Sequence, residues 1–85
     1  MPSKTVTVGS AQGLHARPAA VISEAVVDSG VPVTIALDGG EPVDAGSTMM
    51  LMTLGTTKGS QVTVTADDDA VLDQIAALVE KDLDS

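Results

Sequence analysis

Eighty-five residues, 44% of them hydrophobic, suffice for one compact core and a single domain over residues 1–85, despite a formal net charge of -8. Twelve acidic side chains against four basic ones exclude nucleic acid and anionic membrane surfaces as partners. Cys, Trp, Tyr and Phe are absent, which excludes disulfides and thiolate metal sites and leaves the core to Val, Ile, Leu, Met and Ala.

The chain opens on Thr5-Val6-Thr7-Val8, which alternates polar and apolar and is closed by Gly9-Ser10, the pattern of a half-buried strand. Residues 16–28 carry Ala19, Ile22 and Val26 at helical spacing, with Gly30 as the stop. Ala16, Ala20 and Val27 flank that stripe and suit close packing onto a sheet. Val31, Val33, Ile35 and Leu37 then alternate as a second strand. Gly39-Gly40 makes a turn, and residues 41–45 return as a short antiparallel partner.

Ser47-Thr48 caps a short helix through Met49, Met50, Leu51 and Met52. A loop over residues 55–59 leads to a strand at residues 61–65. Asp67-Asp68-Asp69 supplies a cap and negative charge for a last helix, whose stripe is Leu72, Ile75, Ala76, Val79 and Leu83. The order β-α-β-β-α-β-α, with strands and helices that are each apolar on one side, implies a two-layer α+β domain. No apolar run approaches bilayer length and no apolar leader precedes the first strand, so the expected setting is the cytoplasm, without membrane insertion.

The chemistry concentrates in Gly13-Leu14-His15-Ala16-Arg17-Pro18-Ala19-Ala20. His15 is the only histidine and Arg17 the only arginine. Pro18 and the run behind it place a helix start just after His15. An imidazole there, beside free backbone N–H groups of Ala16 and Arg17 and a guanidinium, is a place to hold a phosphoryl group. The plainer reading makes His15 a polar cap and Arg17 a solvated surface residue. Pro18 disfavours the α conformation for Arg17 and predicts a restrained backbone there. One histidine with no cysteine or spaced partner makes no metal site.

That octapeptide, within this element order, resembles HPr, the histidine-containing phosphocarrier family of the phosphoenolpyruvate:sugar phosphotransferase system. The resemblance runs from end to end and includes Ser47 before the short helix, Leu54-Gly55 and Lys58-Gly59 in the loop, and the acid-capped last helix. It implies an open-faced β-sandwich, a four-stranded antiparallel sheet with three helices on one face. It further implies a carrier rather than an enzyme: His15 accepts a phosphoryl group from phosphorylated enzyme I and delivers it to sugar-specific enzyme IIA, with Arg17 as the phosphate-side cation. No cofactor is implied, and the expected state is a monomer. Ser47 falls on a serine that an ATP-dependent kinase modifies in some lineages, although capping alone accounts for its residue type. Gln12 stands where Asn or Ser is commoner, and Gly46 where a lysine is frequent.

A methionine run is most often core filling. A helix this short cannot bury four large neighbours on one side, however, and successive residues differ by about 100° in direction. Leu51 and Leu54 share the inward face, while Met49 and Met52 share another and, with Thr48, form a candidate docking surface. Two rival readings remain instructive. An acyl carrier would be all-helical with a serine in an Asp-Ser-Leu setting, whereas this chain has Asp28-Ser29-Gly30 and alternating strands. An HPr paralogue acting mainly in regulation, nitrogen-related or sensing phosphorylation state, would carry the same His15 chemistry.

Overall fold

The computed structural model describes residues 2–10 and 13–81. Its elements are β1 (Ser3–Thr7), α1 (Ala16–Ser29), β2 (Val33–Leu37), β3 (Val43–Asp44), α2 (Thr48–Met52), β4 (Gln61–Ala66) and α3 (Asp69–Glu80), in the expected order. The four strands form one sheet in the order β1-β4-β2-β3, with every pair antiparallel. β4 is the last strand in sequence and lies between β1 and β2. It suits the centre because Val62, Val64 and Ala66 are buried on one face while Thr63 and Thr65 occupy the other.

The helices cover the face that carries Val6, Val33, Ile35, Val62 and Val64, which makes the fold an open-faced α+β sandwich. α1 buries Ala19, Ile22 and Val26 there, and α3 buries Leu72, Ile75, Ala76 and Val79. The opposite face of the sheet stays open and is rich in hydroxyl side chains. Thr5 and Thr63, paired across β1 and β4, lie 3.2 Å apart through their hydroxyl oxygens. The caps follow the sequence: Asp68 accepts the Val71 N–H at 3.0 Å, and Gly30 ends α1 with φ 69°.

Several boundaries move for physical reasons. β1 begins at Ser3 because β4 extends far enough to pair with it, Ser3 facing Thr65. Val8 falls outside β1, although its N–H still donates to the Ser60 carbonyl at 2.8 Å. Val31 is lost from β2, since its N–H donates to the Ser29 hydroxyl at 3.1 Å and Pro32 has no N–H for a ladder. The return strand shrinks to Val43–Asp44. Val27 does not pack onto the sheet. It is 67% exposed, Ala16 is exposed as well, and Ala20 is half-buried. Leu83 and Gln12 lie outside the described residues.

Candidate functional site

α1 starts where Pro18 and the apolar stripe place it, and His15 occupies the residue just before its first turn, with φ -87° and ψ -162°. The His15 carbonyl accepts the first helical bond, from the Ala19 N–H at 2.9 Å, while the imidazole caps no N–H. A helix start leaves several N–H groups without intrahelical partners. Pro18 has none, so the open donors beside His15 are those of Ala16 and Arg17, neither bonded among the described residues. Arg17 is helical, contrary to the restrained geometry expected before a proline. Pro18 costs the helix no hydrogen bond there, because in the first turn its missing N–H would be unpaired anyway.

The Arg17 side chain is exposed, and the ion pair formed among the described residues, Lys4 with Asp73 at 3.8 Å, does not involve it. A half-buried imidazole and two amides therefore stand at a helix end with partial positive charge, and the exposed Arg17 is the second residue of that helix. The imidazole Nδ1 lies 3.3 Å from the Gly13 carbonyl. A carbonyl only accepts, so whenever this contact is made Nδ1 carries the proton and the ring's lone pair is on Nε2.

The segment before His15 is held from behind. Gly13 has φ +74°, and a Cβ there would collide with the Thr56 carbonyl. The next N–H, that of Leu14, donates to the Thr56 hydroxyl at 2.8 Å in a buried bond, and the Leu14 side chain is itself in the core. Gly13 thus admits a close approach of backbone, and its counterpart is Thr56, a residue that sequence reasoning passed over. A threonine in a glycine-bounded loop carries no periodic signal, and only the fold brings it to residue 14.

α2 is the second half of the site. The Ser47 hydroxyl accepts the Met50 N–H at 3.3 Å, so Ser47 is a cap as its residue type suggested. Thr48 and Ser23 are joined through their hydroxyls at 2.6 Å, which ties the start of α2 to α1. Ser23 is eight residues past His15, or about 12 Å along α1 at 1.5 Å per residue. The other end of α2 leads to Thr56, so α2 points back toward the His15 loop.

Leu51 is fully buried and Leu54 packs against the core, as the helical geometry required. Outward exposure exceeds expectation: Met49 is 75%, Met50 41% and Met52 47% exposed. Thr48, Met49, Met52 and Thr53 line a shallow apolar depression of about 510 Å³. Gly46, ahead of α2, has no side chain and lies close to Val26 and the exposed Val27. Among the described residues, no cluster of three or more His, Cys, Asp or Glu side chains is placed to hold a metal ion, and no helix is long and apolar enough to cross a membrane.

Comparison with known proteins bears on this arrangement. Residues 2–81 match the family described as the PTS HPr component phosphorylation site. The chain is 40% identical over 87 residues to the phosphocarrier protein HPr of Streptomyces coelicolor, covering 99% of this chain and 94% of that protein. It is 29% identical over 76 residues to the phosphocarrier protein NPr of Klebsiella oxytoca, covering 89% and 84% respectively. The crystal structure of a phosphocarrier protein HPr from Bacillus anthracis superimposes with a TM-score of 0.84 at 33% identity, over 92% of this chain and 95% of that one. With the imidazole at the head of α1 and the fold in agreement, the chain belongs to the HPr phosphocarrier family of the phosphotransferase system.

Proposed function

We propose that this protein accepts a phosphoryl group on His15 from phosphorylated enzyme I and passes it to sugar-specific enzyme IIA. The observation that carries this reading is the imidazole at a helix start, with the Ala16 and Arg17 amides unbonded among the described residues and the only guanidinium in the chain on the second helical residue.

Phosphoryl transfer needs positioning and charge neutralisation more than covalent assistance. The ring nitrogen that lacks a proton attacks phosphorus in line. The new N–P bond forms as the bond to the donor nitrogen breaks, and the donor keeps that electron pair. Attack through Nδ1 requires the ring to turn away from the Gly13 carbonyl first. The arriving dianion meets two amide donors, with a helix-end contribution of about 0.3–1 kcal/mol when exposed. Arg17 adds a charge-assisted contact. This light furnishing suits a carrier, because a phosphate held more tightly would leave more slowly.

The methionine depression supports a docking role for Thr48, Met49 and Met52 toward enzyme I and enzyme IIA. A transient complex needs some packed apolar contact beside electrostatic steering. Met49→Ala should raise the KM for phosphorylation several-fold and leave the melting temperature within a degree or two, because the side chain is mostly in solvent. An unchanged KM with every partner tested would remove methionine from the docking surface. A phosphate placed on Ser47 by a serine kinase would set a dianion at the rim of that depression, and regulation at Ser47 would act on docking.

Reconstitution tests the whole reading. With phosphoenolpyruvate and enzyme I the protein should take up one acid-labile, alkali-stable phosphate and surrender it to a sugar-specific enzyme IIA. Absence of uptake contradicts the carrier role. Uptake without delivery to any enzyme IIA transfers the assignment to a regulatory paralogue, a reading to which the resemblance to the Klebsiella oxytoca protein gives the lesser weight, at 29% identity against 40%.

A further inference from the structure

The docking helix and the reactive imidazole belong to different elements, and one residue touches the route between them. We propose that Thr56 is a positioning residue for His15, and that it connects the partner-binding end of the molecule to the chemistry. The inference rests on the phosphocarrier reading and deepens it.

Thr56 contacts both residues that immediately precede His15. Its hydroxyl takes the buried Leu14 N–H at 2.8 Å, and its backbone carbonyl sits under the Gly13 Cα, too close to admit a Cβ. These contacts fix the peptide units from which the His15 backbone departs, and Leu14 is held in the core at the same time. Without the hydroxyl, the Leu14 N–H would be a buried donor with no acceptor, and the segment would shift to rehydrate it.

On its other side Thr56 is the near continuation of α2. The Leu54 N–H donates to the Leu51 carbonyl at 3.3 Å, and the Thr53 N–H to those of Met49 and Met50 at 3.2 Å, which keeps the chain tightly wound as it leaves the helix. Only Gly55 separates Leu54 from Thr56. A partner that presses on Met49 and Met52 therefore acts on a helix whose exit leads, within a few residues, to the hydrogen bond that sets residue 14. The hydroxyl contributes nothing to the docking surface, since Thr56 is 9% exposed. Its effect should accordingly fall on transfer within the docked complex and leave affinity alone.

Thr56→Val keeps the branched shape and removes the hydroxyl, whereas Thr56→Ser keeps the hydroxyl. Displacements of about 1 Å at a reacting group can slow a reaction by up to about a hundredfold. With saturating enzyme I, Thr56→Val should lower the transfer rate about tenfold or more with KM unchanged, and Thr56→Ser should restore most of it. Amide hydrogen exchange, which requires no phosphorylation, should find the Leu14 N–H protected in the parent and exchanging faster in Thr56→Val. An unchanged rate, a loss equal in Thr56→Ser, or an unprotected Leu14 amide in the parent protein would overturn the proposal. Thr56→Ala is measured alongside. If it and Thr56→Val both fail to fold, or slow transfer only as the folded fraction falls, Thr56 serves the fold alone and the positioning role is wrong. If the parent takes no phosphate from enzyme I, the carrier reading fails, while the exchange experiment still reports the Thr56 contact.

Discussion

His15→Ala should abolish phosphoryl incorporation from phosphoenolpyruvate and enzyme I completely, and leave the far-ultraviolet circular dichroism unchanged. The loss is total because the chain has no second histidine and no cysteine to substitute as a nitrogen or sulfur nucleophile. The fold survives because the imidazole caps no N–H of α1; the helix start is set by the His15 carbonyl, which alanine also has. Alanine is a poor residue at that position compared with a capping serine, but histidine makes no cap bond here, so the substitution forfeits none. Incorporation retained in the variant would move the acceptor elsewhere and dismiss the site as drawn. Lost incorporation together with a collapsed spectrum would instead return His15 to a structural role.

Leu51→Ala should have the largest effect on stability, lowering the unfolding free energy by about 2–5 kcal/mol. Leu51 is the fully buried member of an otherwise outward-facing helix, and it alone pins α2 to the core from within its five residues. Small domains have only about 5–15 kcal/mol to lose. The urea midpoint should therefore fall steeply in Leu51→Ala and scarcely at all in Met49→Ala. A Leu51→Ala midpoint equal to that of Met49→Ala would mean that α2 is held by its ends, through the Ser23–Thr48 and Leu54 contacts, rather than by its middle.

Periodicity made much of this legible in advance. The strand at β4 and the stripes of α1 and α3 could be read because alternation and three-and-four spacing are local properties of the chain. The inward Leu51 and outward Met49 and Met52 followed from helix geometry applied to five residues. What escaped is what depends on distant chain. Val27 sits at a spacing that could serve the core, but it faces solvent, with the bare Gly46 beside it. β1 reaches back to Ser3 only because β4 supplies the partner. Arg17 was expected in a restrained geometry before Pro18, yet it is helical in a first turn, where the missing proline N–H costs no hydrogen bond. Thr56 was invisible for the strongest version of the same reason: its hydroxyl bonds to a residue 42 positions away, and nothing in the loop itself announces it.

The open side of the sheet gives the molecule a front and a back. The features proposed for partner contact, the head of α1 and the methionines of α2, belong to the helices, while Thr5 and Thr63 mark a rear surface of short hydroxyl side chains. A dye or surface tether fixed at Thr5 would leave the front unobstructed. Because the native chain has no thiol, a cysteine introduced there would be chemically unique, and with no tryptophan or tyrosine in the background the optical signal would belong to the label. The same architecture that divides the protein into a covered and a bare layer thus makes it a convenient immobilised bait, presented to its partners in a single orientation.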